Sequence, residues 1–288
     1  MYTAPQKKFR ARDEAEVLDE IRRCAERLIV QRVFLADGDA LVLPTRRLLK
    51  ILEQIRQSLP EVQRVSSYCL PRNLRKKSVD ELRELAEAGL AMAYVGAESG
   101  DDEVLARVNK GETYESTLSA LDKLGQAGIA RSVMILNGLG GRGLSRQHAR
   151  SSARLMNAGQ PEFLSTLVVS FPQGEARFRQ AYEDFEPLTP PDLLRELEWL
   201  LADLELSDTV FRSDHASNYL VLKGTLGADK RGCYAVCARP SKIRAARPCV
   251  RSGSAGCDRA VLLLPSCNLA WMLHCRSGRR FSVAGPGR

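Results

Sequence analysis

The residues best placed to do chemistry lie within 94–111, YVGAESGDDEVLARVNKG. A short apolar strand pattern over 92–95 runs straight into Gly96, Glu98, Ser99 and Gly100. A helical pattern then starts on Asp101, Asp102 and Glu103 and stops at Lys110-Gly111. Parallel sheets and barrels bind ligands at the carboxyl ends of their strands, so a carboxylate and a hydroxyl at such an end are groups offered to a ligand. Part of the segment has a simpler reading. Ser99 or Asp101 can cap the helix, the acidic run suits its positive end, and Gly111 suits its stop. Capping needs neither Glu98 nor the glycines on both sides of it.

Other candidates follow other strand patterns. Ala36-Asp37-Gly38-Asp39 offers backbone carbonyls and acids, or simply a tight turn, in which Gly and Asp are common. Ser66 and Ser67 end the next strand, and Arg72 lies in the loop beyond, where an exposed position is expected. Gly138, Gly140 and Gly143 spell G-x-G-x-x-G between a strand and a helix, the pattern of a dinucleotide-binding turn. That pattern also wants an acidic residue ending the next strand, about 20 positions on. Glu162 stands at that distance but precedes its strand, which ends at Ser170-Phe171-Pro172. The three histidines are far apart: His148 on an expected surface helix, His215 in a dense polar run that suits substrate binding or a lid, and His274 near the end. A histidine metal site has little support from such spacing.

The elements that must position these groups alternate. Helical spacing is expected over 13–29, 45–59, 78–88, 114–127, 145–158, 174–185 and 189–206, with strands at 33–36, 62–70, 92–95, 132–136 and 163–169. Ser78 with Glu81 reads as a capping box, and Thr189-Pro190 opens a helix carrying Leu193, Leu197, Leu200, Leu201 and Leu204 as an apolar stripe. Strands separated by 10 to 15 helical residues imply parallel βαβ units. Five such strands, apolar on both faces, predict an α/β fold with a parallel barrel or doubly wound sheet.

The segment 94–111 resembles the fourth-strand region of radical S-adenosylmethionine (SAM) enzymes whose members read G-x-E-S-G-D-x-x-L-x-x-x-x-K-G. The likeness extends over roughly 1–230 and includes VFLADGDALVLP (33–44), RVSSYCLPRNLRKKS (64–78), SVMILNGLGGRGLS (132–145) and FRSDHASNYLVLKGTL (211–226). It implies a partial parallel (β/α)6-type barrel holding a [4Fe-4S] cluster and SAM, with the substrate unknown. The cofactor supplies the hard chemistry, reductive cleavage of SAM to a 5′-deoxyadenosyl radical, while the protein positions it. Carried over residue by residue, the resemblance places Gly38 and Asp39 at the SAM ammonium, although many members read G-G-E there. Glu98 and Ser99 come to the ribose or the methionyl group, and a carboxylate suits paired ribose hydroxyls because it accepts two hydrogen bonds. Ser66 lines the same mouth, with Ser67 beside it. Leu136 and Gly138 support the adenine, and Pro172, in Pro172-Gln173-Gly174, resembles the last-strand P-G-T turn against it.

Two departures matter. The family's first strand ends in a C-x3-C-x2-C loop closely followed by Gly-Met-Tyr, and each thiolate binds one iron. This sequence begins Met1-Tyr2-Thr3 and contains no C-x3-C-x2-C. The expectation is that it starts just after the last cluster cysteine, lacks the first strand and does not cleave SAM reductively. The strand at Val33 would then present an open edge, which favours aggregation or pairing with another chain. An alternative of a different class is a non-catalytic barrel remnant that binds a nucleotide or a partner protein. The nicotinamide or flavin reading of Gly138, Gly140 and Gly143 is a third. The second departure is the tail, 231–288. It holds 11 of the 43 Lys+Arg, one of the 35 Asp+Glu and six of the eight cysteines, at 233, 237, 249, 257, 267 and 275. Such a composition builds no core and matches a G+C-rich coding sequence read out of frame. A disordered basic tail and a Cys-rich metal module are the other readings.

The tail also explains the charge. The net +8 resides there, so residues 1–230 carry no basic footprint for nucleic acid. No stretch of about 18 apolar residues occurs, and no apolar signal core follows the N-terminus, so a cytoplasmic location is expected. The partner that remains is a small-molecule cofactor, with no membrane or nucleic acid.

Overall fold

The computed structural model describes residues 11–36, 38–171 and 175–238, and the backbone of 261–262 and 271–275. In chain order the elements are α1 (Glu14–Ala25), β1 (Val30–Leu35), α2 (Thr45–Ser58), β2 (Arg64–Cys69), α3 (Val79–Glu87), β3 (Leu90–Glu98), α4 (Asp102–Arg107) and α5 (Tyr114–Gln126). There follow β4 (Ala130–Asn137), α6 (Gly141–Gly159), β5 (Phe163–Val168), α7 (Ala176–Ala181), α8 (Pro190–Asp203), β6 (Val210–Ser213), β7 (Leu222–Thr225), α9 (Lys230–Cys237), β8 (Val261–Leu262) and β9 (Trp271–Cys275). Helices and strands alternate as expected, and the fold is α/β of the partial parallel barrel type.

Three of the helices start where a side chain bonds a backbone N–H of the first turn. Asp13 accepts from Ala15 N at 2.8 Å ahead of α1. Ser78 and Glu81 form the expected capping box ahead of α3. Thr189 N donates to the Asp192 carboxylate ahead of α8.

The chain divides into two compact units. The first runs to Tyr94 and includes 126–129 and the strands β8 and β9. Within it β1 and β2 are parallel, with Arg32 opposite Arg64 and Leu35 opposite Ser67. Val17, Ile21, Leu48, Ile51, Leu52, Ile55, Leu82 and Leu85 bury the inner faces of α1, α2 and α3. The edge of β1 expected to be open is paired. β9 runs antiparallel along it from Val30 opposite Cys275 to Leu35 opposite Trp271, and β8 pairs with β9 in turn. Backbone donors at an edge pair with whatever strand reaches them, and here that strand comes from the same chain.

The second unit holds 95–125 and 130–252. In it β4, β5 and β6 are parallel and β7 is antiparallel to β6. β6 was not expected. Its sequence reads as polar because only Phe211 and Ser213 are buried, and a four-residue strand needs just those two inward positions. Asn218 extends its role. The side chain accepts from Val168 N at 2.9 Å and donates to Thr166 O at 2.8 Å, pairing β5 as a further strand residue would. α9 begins at the expected boundary of the tail, so 230–237 are helical, with Cys233 and Cys237 buried. Among the described residues no helix is long and apolar enough to cross a membrane.

Candidate functional site

Glu98 ends β3 in the left-handed region, at φ 65°, where a non-glycine residue is strained and such strain clusters at functional sites. Its carboxylate is buried and ion-paired with Lys110 Nζ, the two side chains being 10% and 8% exposed. Lys110 was expected only to stop a helix. It returns to β3 because Asn109 and Gly111 flank it at φ 52° and 72°, turning the chain back after α4. Lys110 N also donates to Leu105 O at 2.9 Å. A Cβ at Gly96 would stand 3.7 Å from Lys110 Nζ and 3.8 Å from Glu98 Oε1, so the pair lies over that residue.

The turn after Glu98 is docked on α6. Ser99 Oγ lies 2.8 Å from His148 Nδ1 and accepts from Asp101 N at 3.0 Å. Gly100 N donates to Ser152 Oγ at 3.0 Å. A side chain at Gly100 would meet Ser151 O at 2.3 Å, so glycine is required there. Asp101 is the helix cap, accepting from Val104 N at 3.1 Å, and it also takes Gln147 Nε2 and Ser151 Oγ. Of the two capping candidates Asp101 caps, and Ser99 is free to bond His148.

The end of β4 is held as firmly. Asn137 Nδ2 donates to Leu193 O at 2.9 Å. Gly138, at φ 86°, gives its N–H to Glu196 Oε1 at 2.6 Å, and a Cβ there would lie 2.9 Å from Leu193 Cδ2. The other Glu196 oxygen accepts from Ser145 Oγ at 2.5 Å, and His148 Nε2 stands 3.9 Å from Oε1. Burial raises the Glu196 carboxyl above its usual range, opposed by His148 and by the hydrogen bonds from Ser145 and Gly138. Leu136 O accepts from His148 Nε2 at 3.0 Å.

His148 is therefore not on a surface. It is 1% exposed. The inner face of α6 is built from Gly141, Ser145, His148, Ala149, Ser152 and Ala153 as well as Leu155 and Met156, so most of it carries no large apolar stripe to read. Glu196 was missed as well. It falls inside the stripe of α8, three residues after Leu193 and four before Leu200, where a charge on the apolar face was the available signal.

The glycine turn offers no open cradle among the positions that would make one. A Cβ at Gly140 would press on His148 Cβ at 3.0 Å, and one at Gly141 on Glu186 O at 3.0 Å, while Tyr182 Oη donates to Gly140 O at 2.7 Å. Protein atoms make the close approaches that a pyrophosphate makes in a dinucleotide turn. Gly143 has nothing within 4 Å of such a Cβ.

The expected residues of the first unit have local roles. Asp39 accepts from Leu41 N and Asn73 Nδ2, both at 2.8 Å, and from Leu70 N, shaping the turn after β1 together with Gly38 at φ 134°. Burial raises its carboxyl above the usual range against those bonds and the nearby Lys77. Lys77 Nζ donates to Leu43 O at 2.8 Å. Ser66 and Ser67 are buried, and Ser67 Oγ donates to Tyr68 O at 2.9 Å. His215 is exposed and bonds within its own turn, to Ser217. Asp37, Pro172 and the side chain of His274 lie outside the described residues.

Among the described residues no three His, Cys, Asp or Glu side chains are grouped to hold a metal ion, and the sequence has no C-x3-C-x2-C. Among the described residues no donor set for a [4Fe-4S] cluster is assembled. The chain nevertheless belongs to the radical SAM superfamily, whose family model matches residues 2–156. A solved structure agrees in fold. The chain is similar to coproporphyrinogen III oxidase (HemN) from Escherichia coli, a radical SAM enzyme, at 16% identity and TM-score 0.52, covering 66% of this chain and 45% of that one. Methylornithine synthase (PylB) is matched at 14% identity and TM-score 0.46, covering 76% of this chain and 59% of that one. The methyltransferase TsrM from Kitasatospora setae, solved with cobalamin and a [4Fe-4S] cluster, is matched at 22% identity and TM-score 0.44, covering 55% of this chain and 29% of that one. The chain spans about half the length of the first two, and the 16% identity to HemN speaks for the fold alone. No curated protein matches it.

Proposed function

We propose that this chain binds SAM beside the Glu98–Lys110 pair of its second unit, with the turns at Ser99 and at Leu136 to Gly138 shaping the site rather than bonding the ligand, and without cleaving it reductively. The observation that carries the reading is the buried Glu98–Lys110 pair at a left-handed strand end. A fixed carboxylate beside a fixed ammonium is complementary to an amino-acid zwitterion, its ammonium going to Glu98 and its carboxylate to Lys110. The methionyl end of SAM is such a zwitterion. Asp39 is left out, because three donors of its own chain already take its oxygens. No step through a cluster is assigned, since the described residues offer no ligand set for one.

Calorimetric titration with SAM, S-adenosylhomocysteine, adenosine and NAD tests the binding. SAM and S-adenosylhomocysteine should bind, adenosine more weakly for want of the zwitterion, and NAD not at all. Anaerobic reconstitution with iron, sulfide and reductant should yield no 5′-deoxyadenosine. Preference for NAD, or no binding of SAM, would overturn the reading, and release of 5′-deoxyadenosine would overturn its second half.

A further inference from the structure

The second unit contains a buried polar chain for which SAM recognition has no direct need: Ser99, His148, Glu196 and Ser145, respectively 0%, 1%, 1% and 6% exposed. Buried polar groups are costly unless bonded, so an arrangement this complete has a role in fixing structure. Its centre is the imidazole of His148. Leu136 O can only accept, so the facing Nε2 carries a proton. Ser99 Oγ accepts from Asp101 N, which leaves its own proton for Nδ1. In the neutral ring one tautomer, with the proton on Nε2, satisfies both sides.

The two partners of that ring sit at the ends of different strands. Ser99 follows Glu98 at the end of β3, and Leu136 precedes the Gly138 turn at the end of β4. Glu196, 3.9 Å from Nε2, holds the Gly138 N–H as well. We propose that His148 is a positioning residue that couples these two turns, so that the Glu98 turn and the Gly138 turn hold their places together or loosen together. The part of this inference that concerns ligand rests on the SAM reading; the coupling itself does not. His148 touches no ligand here and acts through Ser99 and Leu136.

Amide hydrogen exchange with mass spectrometry tests the coupling on the full chain without ligand. Ser99→Ala removes one hydroxyl at the β3 turn and leaves the ring in place. It should raise exchange not only in peptides covering 96–101 but also in those covering 136–141, by roughly fivefold to tenfold for the loss of one buried bond, with α2 unchanged. The two amide substitutions divide the ring's bonds. His148→Asn keeps a polar group at the Nδ1 position and loses reach to Leu136, while His148→Gln does the reverse. In the His148→Gln background, adding Ser99→Ala should then change nothing further at 136–141. A rise confined to 96–101 in Ser99→Ala, or a uniform rise across the second unit, would overturn the coupling. Should the His148 variants fail to fold, Ser99→Ala alone still decides. For ligand, His148→Gln should weaken SAM binding roughly tenfold. Wild-type affinity in His148→Gln would refute positioning while leaving the SAM reading intact, whereas absence of SAM binding in the wild type refutes that reading and leaves the exchange result to stand or fall alone.

Discussion

Asp39 in the first unit and Glu98 in the second are both buried acids that follow apolar strands, and they are bonded in different ways. Asp39 is consumed by its own turn, with two backbone N–H groups and the Asn73 amide on its oxygens. Glu98 pairs with the side chain of Lys110 from a backbone conformation that costs free energy to hold. A carboxylate saturated by backbone donors builds a turn. One matched by a single ammonium keeps acceptor capacity for a ligand that brings its own donors. Position at a strand end therefore does not by itself make an acid a binding group; what already bonds to it decides.

The largest way to break that comparison is Glu98→Gln. It removes the charged acceptor that faces the Lys110 ammonium, which costs about 2 kcal/mol of stability for one charge-assisted hydrogen bond, and it should abolish SAM binding in calorimetry. Retained affinity would place Glu98 with Asp39 as a structural acid. Asp39→Ala comes next. Stranding one buried and two part-buried donors costs about 2 kcal/mol, read from urea denaturation, yet SAM affinity measured below the unfolding transition should stay within about twofold, since an unchanged site leaves the binding free energy unchanged.

A smaller effect is the pH dependence. Burial raises the Glu196 carboxyl, so the folded state holds that proton more tightly than the unfolded chain does. The stability it contributes is complete below the unfolded value of about 4.3 and is lost as pH rises through the folded value. Glu196→Gln cannot ionise, so its stability should fall less than that of the wild type over this rise. Parallel urea midpoints for the two proteins would contradict the assignment. Asp39, also raised by burial, carries the same sign in the first unit. The smallest effect concerns α9. Burial and the Cys233 thiol push Cys237 up to about 12, so its thiol stays protonated and should react with iodoacetamide at pH 8 only slowly in the native protein. Peptide mapping that finds Cys237 labelled as fast as an unfolded control would detach α9 from the second unit.

Much of this was legible in the residues. Periodicity located all five expected strands, and the capping pair Ser78 and Glu81 fixed the start of α3. Glu98 stood out because a helix cap did not require it, whereas Ser99 shared the capping reading with Asp101, which is the residue that caps. Lys110 did not, because its return to β3 depends on left-handed Asn109 and Gly111, which read locally as a helix stop. His148 and Glu196 were hidden for related reasons: one lies on a helix face rich in Ser, Ala and Gly, the other inside a leucine stripe. Pairing partners distant in sequence, such as β9 on β1, leave no local signal at all.

The most direct test of the central claim is photolabelling with an 8-azido derivative of SAM, followed by peptide sequencing of the adducts. Adducts are expected within 96–111 and 132–143, suppressed by unlabelled SAM and lost in Glu98→Gln. Adducts confined to 36–45 around Asp39, persisting in Glu98→Gln, would contradict it.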